Sequence, residues 1–566
     1  KITVFVGAKA YETLSDKAYL NPTSEGFFEF SYDEATLTAK IVGINVDAKV
    51  AYLPSSAVKD ETTYSVTAIG AGAFEGNATL EKVVVPAEIT DLEENAFFSC
   101  ENLSYVRFES GSRLKTIGAS AFAQCVNLTE MIFPSSLNSI GEAAFNACEK
   151  LGAITFFANS KLNKIGSYAF NGATSLEKVA LTSEIKEIGV NAFAGCIALK
   201  TFDYGSKSAI KTLSNGLFSG CSALSEVSVP DGVTTIGTNA FKACVALKSA
   251  VIPDSTETIG TGAFGYSGIT TVTFGRKLVA VGDEAFKSCN YLTEAILPDG
   301  VTVIGKQAFA DCGRLVSVKI GENVKNIGEN AFYNARNLAE AEYAAVLGED
   351  LTEGTNAFYG AGTNSASGIT FTVGEKVERI PAYLFATSDL TYAPDIRRIY
   401  FDGTSSCEEI GEKAFAGLKT LASIDLPVSL LKIGKAAFDG NDGLEVSFES
   451  AAVTAGFEDG WDDGLTTQPV FGKNNVISGD YAYVERFGKA YLTKYYGEET
   501  TVVVPVSIDG LPVSDVGAAF ERNEKVEKIV MPGNADRAGS FYGCSSLETV
   551  VLPENISYIS SYAFYN

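Results

Sequence analysis

The cysteines are the side chains of this sequence that are most able to carry out chemistry. Nine of the ten recur at the same place in a repeated segment. Residues 117–125 read IGASAFAQC, and residues 140–148 read IGEAAFNAC. The nine recurrent cysteines, each three residues after a Phe, are at positions 100, 125, 148, 196, 221, 244, 289, 312 and 544. A regular series of thiols could bind metal ions, form disulfides or fill a small buried space.

Exchanges between the copies distinguish these roles. The residues that replace cysteine in other copies include Asn77, Ala173, Ser267, Ala335, Asn441 and Asn523. A metal site or a redox pair would not tolerate such exchange, whereas a small buried slot would, with the thiol acting as a compact apolar group. Stacked copies would bring neighbouring cysteines within disulfide reach, but a parallel ladder points their side chains the same way. We therefore expect reduced structural thiols, and only Cys407, outside the series, is a candidate for reactivity.

Other chemistry is restricted by the absence of histidine, the commonest general base and metal ligand. Ser-His and Cys-His nucleophiles are thereby excluded. Carboxylates are abundant, and Asp459, Asp462 and Asp463 surround glycines in FEDGWDDG. Their spacing is not that of an EF-hand loop, so we expect a solvated acidic turn with Trp461 packed on its flank, with a bound calcium ion as the alternative. We predict no metal site, no cofactor and no catalytic residue.

The charge balance limits the partners. Asp and Glu outnumber Lys and Arg by 69 to 44, which gives a net charge of −25 at pH 7. Such an acidic surface repels nucleic acids and anionic membranes, so we expect neither as a partner. No run of 18 apolar residues could span a bilayer, and KITVFVGAKAYETL is too short and too charged for a secretory signal. The first residue is not Met and the last residues, AFYN, stop within a repeat, which favours a piece of a longer protein.

The repeat itself is the strongest signal in the chain. A marker Phe ends each IGxxAF-type segment at positions 74, 97, 122, 145, 170, 193, 218, 241, 264, 286, 309 and 332, then 358, 385, 415, 438, 520, 541 and 564. The first twelve markers are 22 to 25 residues apart, and such a period is typical of stacked units that share one core. The nineteen markers predict nineteen units.

A typical unit is residues 128–150, LTEMIFPSSLNSIGEAAFNACEK. Met131 and Phe133 alternate with polar positions, which predicts a half-buried strand, and Pro134 ends that strand because it cannot donate to a ladder. Gly141 indicates a tight or positive-φ turn. The segment that follows is expected to form a short helical or 3-10 turn that directs Phe145 inward.

The pattern IGxxAFxxCxxLxx[VI]x[LF]P resembles the BspA-like leucine-rich repeat, the treponemal class of that superfamily. The match covers about residues 69–448 and 516–566. The resemblance implies an α/β leucine-rich-repeat solenoid, mostly β and loop, in which about nineteen coils of 23–25 residues form a curved right-handed array with a parallel β-sheet on its concave face. It also implies a secreted or cell-surface protein of a host-associated bacterium or protozoan, linked to adhesion.

Two stretches outside the regular repeats resemble each other. Residues 27–74 and 481–520 both run from an aromatic hairpin-like segment through a VxxP strand to a marker Phe. Both are expected to cover the first edge of a repeat block. We predict four regions: an N-terminal β segment and lead-in cap (1–68), a first repeat block (69–448), an acidic linker with a second lead-in module (449–515), and a truncated second block (516–566).

Ligand contacts are predicted on the open face, between the buried strand positions. Most residues there are small or acidic, but Tyr105 with Arg107 and Arg398 with Tyr400 stand out, because Tyr and Arg are enriched at binding interfaces.

A second candidate for ligand binding is a row of cationic residues. Up to Phe218 the steps alternate between 23 and 25 residues, and the longer steps carry Arg113, Lys161 and Lys207 on every second coil. Solvated loop residues that balance nearby acids are the alternative.

We predict a non-catalytic cell-surface or secreted binding protein. The resemblance makes it an expected adhesin whose partner is a protein or glycan on host or neighbouring cells. Many weak sites in register would raise its avidity. The alternatives are a spacer that projects another domain and, less favoured, a carbohydrate-active enzyme using paired carboxylates. The sequence leaves the oligomeric state open, with a monomer favoured.

Overall fold

Each coil begins with a short strand whose side chains alternate between solvent and the interior. In Glu130–Phe133 the first and third side chains are exposed and the second and fourth are buried. This strand pairs in parallel, residue by residue, with Ala153–Phe156 of the next coil. We call such strands face strands. Their pairing lets successive coils share one core, which a single coil could not enclose.

The computed structural model describes residues 27–181, 185–206, 208–386, 390–402, 405–450, 456–486, 488–517, 519–559 and 563–564. They form a β-solenoid of about 22 turns with parallel sheets, somewhat more than the nineteen predicted from the marker Phe. The chain divides into two compact units. The first runs to Leu278 and includes Ala285–Asn290, and the second comprises Val279–Glu284 and the residues from Tyr291 onward.

In the first unit the face strands form three parallel sheets, and two-residue corner strands follow them. The face strands are Val50–Tyr52, Lys82–Val85, Tyr105–Phe108, Glu130–Phe133, Ala153–Phe156, Lys178–Ala180, Thr201–Asp203, Glu226–Val227, Ser249–Val251 and Thr271–Thr273. The corner strands are Asp91–Leu92, Thr116–Ile117, Ser139–Ile140, Lys164–Ile165, Glu187–Ile188, Thr212–Leu213, Thr235–Ile236 and Thr258–Ile259.

Glycine follows most of the corner strands, as Gly141 follows Ser139–Ile140, and close approach between coils requires it there. The φ angle of Gly141 is not positive, contrary to one of the expectations from the sequence. A Cβ atom at this position would instead lie 2.6 Å from the carbonyl carbon of Gly118 in the preceding coil. Because backbone atoms cannot yield, any larger residue here would push the two coils apart.

The segment around the marker Phe is a series of turns rather than a helix. Ala143 and Ala147, two residues before and after Phe145, have φ angles of 51° and 57°, which an α-helix does not allow. The N–H groups of all three residues donate to carbonyl oxygens of the next coil. Among the described residues there is no α-helix, and the one 3-10 helix is Leu390–Tyr392.

The marker phenylalanines form a column of parallel rings in the core. The ring of Phe145 lies 5.2 Å from those of both Phe122 and Phe170, with interplanar angles of 9° and 2°. Phe145 has no exposed surface, which confirms the inward position predicted for it. Stacked aromatic rings of this kind stabilise the core beyond the surface that they bury.

The second unit repeats the arrangement and then adds a second block. Its face strands are Glu294–Ile296, Ser317–Ile320, Glu340–Tyr343, Ile369–Val373, Ile396–Phe401, Ser423–Leu426, Glu445–Phe448, Thr501–Val503, Lys528–Val530 and Thr549–Val551. Its corner strands are Ala280–Val281, Val303–Ile304, Asn326–Ile327, Arg379–Ile380, Glu409–Ile410, Lys432–Ile433, Gly456–Phe457, Arg537–Ala538 and Tyr558–Ile559, and Val476–Ser478 pairs antiparallel with the lead-in hairpin.

The two stretches predicted to be lead-in modules fold alike. In the first, Phe28–Asp33 and Thr38–Ile44 form an antiparallel hairpin, and Thr62–Ile69 pairs in parallel with the second strand and antiparallel with Ser56–Lys59. In the second module the corresponding strands are Tyr481–Arg486, Lys489–Tyr495, Leu511–Asp515 and Ser507–Ile508. Each hairpin thus supplies a partner for the strand that precedes the first coil of a block.

Part of the predicted acidic linker continues the array. Gly456–Phe457 pairs in parallel with Lys432–Ile433 of the preceding coil. Trp461 follows Phe438 by 23 residues, is buried, and packs edge-on against its ring at 6.3 Å between centroids. An indole therefore occupies the core position that a marker Phe fills in other coils.

Within the second unit, the second block packs against loops of the first. The Tyr558 hydroxyl donates to a carboxylate oxygen of Glu408 at 2.5 Å, and the Arg537 guanidinium donates to the Ser406 hydroxyl at 3.0 Å. The Nε atom of Arg537 also lies 3.6 Å from a carboxylate oxygen of Asp515. Burial raises the pKa of Asp515 even though this cation is adjacent. This network of half-buried and buried polar groups connects residues more than a hundred positions apart.

Candidate ligand-binding face

Outward-facing residues of the face strands form two columns, because parallel register aligns equivalent positions of successive coils. Tyr105 pairs with Lys82 on one side and with Glu130 on the other, and Arg107 pairs with Val84. The spacing along a column is about 4.8 Å. The register therefore places Tyr105 and Arg107 in columns with residues of the neighbouring coils.

A groove of about 390 Å³ lies on this face in the first unit, and we call it the first groove. It is lined by residues 105–112 together with Glu130, Ile132, Pro134, Ser135 and Phe157. Both members of the predicted pair, Tyr105 and Arg107, are therefore in one concave site. The volume is within the range of ordinary ligand sites.

The alternation of coil lengths accounts for the first groove. Residues 130–135 belong to the 23-residue step between Phe122 and Phe145. Residues 109–112 and Phe157 belong to the 25-residue steps on either side. Each of these two steps is two residues longer and can use the additional residues to form a wall. A short coil between two longer ones thus becomes the floor of a trough.

Arg107 carries an uncompensated charge in this groove. Its side chain is half-buried, and its Nε atom is buried with no hydrogen-bond partner among the described residues. Glu109 and Glu130 line the same groove, yet neither forms an ion pair with it in the part of the chain that the structure describes. Because Nε has almost no exposed surface, a ligand in the groove would meet the terminal N–H groups of this guanidinium.

Large apolar side chains lie beside this arginine. Ile132 and Phe157 are 47% and 48% exposed, although most outward positions of the face are small or polar. Sequence reasoning did not single out either residue. A signal for Phe157 is the doubled Phe of TFFAN, because only one of two successive strand residues can point into the core.

A second groove, of about 400 Å³, occurs three face strands further along the first unit. It is lined by residues 201–205 and by Lys178, Ala180, Glu226, Val227, Ser228 and Pro230. Asp203 accepts a hydrogen bond from the backbone N–H of Gly205 at 2.8 Å, which fixes the loop. Tyr204 is buried beneath, and burial raises its pKa. This groove lacks an arginine and lacks large apolar side chains that are as exposed as Ile132 and Phe157 of the first one.

The structure describes two of the three residues of the predicted cationic row, Arg113 and Lys161. Arg113 directly follows the wall of the first groove and Lys161 lies four residues after Phe157, and both side chains are exposed. No ion pair of either residue occurs among the described residues. By contrast, Lys164 pairs with Glu187 at 3.1 Å. Lys207 lies outside the described residues.

The second predicted pair is in the other unit. Arg398 and Tyr400 are exposed on Ile396–Phe401, where they pair with Thr370 and Thr372. A register shift leaves Arg397 without a strand partner, and its guanidinium binds Asp395 instead. These residues do not line either of the two grooves described above.

The recurrent cysteines occupy a buried slot, as predicted, and all ten are present as thiols. The Sγ atom of Cys125 donates to the carbonyl oxygen of Phe97, and Cys148 donates to that of Phe122, both at 3.1 Å. Burial raises the pKa of Cys148 and of Cys221 to about 12. These groups therefore remain protonated donors at physiological pH.

The proposed reactivity of Cys407 is contradicted. Its side chain is fully buried, its Sγ lies 3.6 Å from the carbonyl oxygen of Glu409, and burial raises its pKa further above the ordinary value. A reactive cysteine needs exposure and a lowered pKa. Among the described residues, no group of three or more Cys, Asp and Glu side chains is placed to hold a metal ion.

The chain is similar to several leucine-rich-repeat proteins of known structure. A leucine-rich-repeat protein of Bacteroides ovatus has 21% identity and a TM-score of 0.44, with 81% of this chain and 91% of that one covered. A leucine-rich cell surface protein of Faecalibacterium prausnitzii has 26% identity and a TM-score of 0.38 over 57% and 94%. The pneumococcal vaccine antigen PcpA has 22% identity and a TM-score of 0.44 over 61% and 91%. No curated protein matches the sequence.

No helix in the described part of the chain has the length and hydropathy that a membrane span requires.

The family model described as BspA type leucine-rich repeat region matches residues 55–163, 153–270, 257–391, 391–455 and 516–566. These matches cover most of the chain and coincide with the coils of the solenoid. The protein therefore belongs to the BspA-type leucine-rich-repeat family.

Proposed function

We propose that this is a non-catalytic binding protein, secreted or attached to a cell surface, that acts as an adhesin for host matrix proteins or for neighbouring cells. The observation that carries the proposal is the first groove, where Tyr105, an uncompensated Arg107 and two exposed apolar side chains converge on the open face. Tyr and Arg next to apolar surface are the residues that dominate protein interfaces. The family of the chain supports the same class of function.

Several sites on the same face could bind one partner together. The first and second grooves are three face strands apart, or about 14 Å at 4.8 Å per strand. A partner that contacts several coils loses its translational freedom once, so modest contacts combine into useful avidity. Exposed Arg113 and Lys161 would raise the association rate of an acidic partner with this otherwise acidic protein.

Binding of the purified chain to an array of host matrix proteins and glycans, at two salt concentrations, tests the proposal. We expect saturable binding that weakens when Arg113 and Lys161 are both replaced by Glu. Lys419→Glu, an exposed charge reversal in the second unit, serves as the matched control. No saturable binding to any target would contradict the proposal and favour a spacer that projects another domain.

A further inference from the structure

We propose that the first groove binds a segment of a partner protein that presents one carboxylate next to a branched or aromatic apolar side chain. This inference rests on the proposed function, because it assumes that the open face meets a macromolecule. It goes further by assigning the site and the chemistry of the ligand.

The apolar half of the ligand follows from the exposed side chains. Ile132 projects from the floor and Phe157 from one wall, each about half exposed. Tyr105 and Pro134 extend the same surface. Contact with an apolar ligand side chain would remove this surface from water, which is favourable, whereas a hydroxylated sugar would have to give up its own hydration to cover it. The apolar surface therefore favours a protein side chain over a glycan.

The carboxylate follows from Arg107. A guanidinium has a planar set of donors that matches a carboxylate, and within the described part of the chain Arg107 forms no ion pair. Glu109 and Glu130 line the same groove and therefore limit the number of negative charges that the ligand can carry. A phosphate or a densely sulfated chain would be repelled by these two acids more strongly than a single carboxylate would be.

The walls define where the segment lies. They are formed by residues 109–112 and by Phe157, which belong to the two longer coils. A Cβ atom added to Gly111 would meet nothing within 4 Å, so the tip of this wall is in open space. Deletion of Ser110 and Gly111 would reduce the 25-residue step to 23 residues, a length at which the neighbouring coil folds. This deletion would remove the wall and leave the coil intact.

The test uses random seven-residue peptides displayed on phage and selected on the full chain. We expect enriched peptides to carry Asp or Glu within two positions of Phe, Tyr, Leu or Ile. Synthetic versions should bind Arg107→Gln, and the chain without Ser110 and Gly111, at least tenfold more weakly. Glu130→Gln should bind two- to fivefold more tightly, because it removes a charge that repels the ligand. Lys419→Glu should bind as the unaltered chain does.

Four results would overturn the proposal: no enrichment, enriched peptides without acids, equal binding to Arg107→Gln, or displacement by a sulfated polysaccharide. Thermal unfolding of each variant checks that a loss of binding is not a loss of fold. If the matrix-protein array still shows saturable binding that these variants do not affect, only the assigned site and ligand fail. If the array shows no binding either, the proposed function fails as well.

Discussion

The Sγ atom of Cys125 donates a hydrogen bond to the carbonyl oxygen of Phe97, one coil earlier, at 3.1 Å. In the second unit the Asn441 side-chain amide makes the equivalent bond to Phe415 at 2.8 Å. Asn77 and Asn523, in the first coil of each block, instead accept hydrogen bonds from nearby backbone N–H groups. The slot therefore accepts compact side chains, some of which, such as Cys125 and Asn441, also donate to the backbone of the preceding coil. Thiol chemistry plays no part in the choice.

Cys125→Ala should lower the free energy of unfolding by about 1–2 kcal/mol, since it removes this donor and leaves a small cavity. Urea denaturation of the full chain would measure the change. Cys125→Ser should have a smaller effect because the hydroxyl can still donate to Phe97. Equal effects of the two substitutions would contradict the role of the hydrogen bond.

Alkaline pH should destabilise the fold through the thiols. Burial raises the pKa of Cys148 to about 12 and that of Cys289 to about 11, from an ordinary 9. The unfolded thiols lose their protons first, so stability falls as pH rises from about 9. At pH 8 a thiol reagent should label the native chain very slowly and should label all ten cysteines in denaturant. Rapid labelling of the native chain would show that the slots open.

Phe145→Ala should cost about 3–5 kcal/mol, because it removes a fully buried ring from the aromatic column. Hydrogen exchange should show faster opening of the coils that contain Phe122 and Phe170. Phe157→Ala is the matched control, since this ring is half exposed and its loss should affect peptide binding much more than stability. Unchanged exchange in Phe145→Ala would place this ring outside the core.

Glu521→Gln should stabilise the second block above neutral pH. Burial raises the pKa of Glu521 to about 7 from an ordinary 4.5. The folded chain keeps this proton while the unfolded chain loses it, so stability falls as pH rises from 4.5 to 7. The amide avoids that loss. The variant should gain about 3 kcal/mol at pH 8 and nothing at pH 4, as measured by thermal unfolding. An equal gain at both values of pH would contradict the titration.

Tyr558→Phe should loosen the second block from the first, because it deletes the donor to the buried carboxylate of Glu408. A loss of about 1–3 kcal/mol is expected. Limited proteolysis would report it as faster cleavage in residues 516–566, with unchanged cleavage in residues 69–278. Equal acceleration in both regions would indicate global rather than local destabilisation.

Much of the fold could be read from residue spacing. The marker Phe, the alternating strand and the small-residue slot each recur in register, and a repeated pattern can be satisfied in all copies only by stacking. The turns around Phe145 could not be foreseen as turns. Ala143 and Ala147 are good helix formers, yet both adopt positive φ, because their N–H groups bond to the next coil and tertiary contacts override local propensity.

The sequence by itself determined the repeat, the buried column and the positions that face solvent, because these depend on period and polarity along one chain. Only the tertiary structure decided which of those positions form a site. Tyr105, Ile132 and Phe157 come from three different coils, and their convergence depends on the relative lengths of the loops between them. Likewise, the isolation of Arg107 from Glu109 and Glu130 depends on side-chain positions in space, which residue spacing alone does not fix.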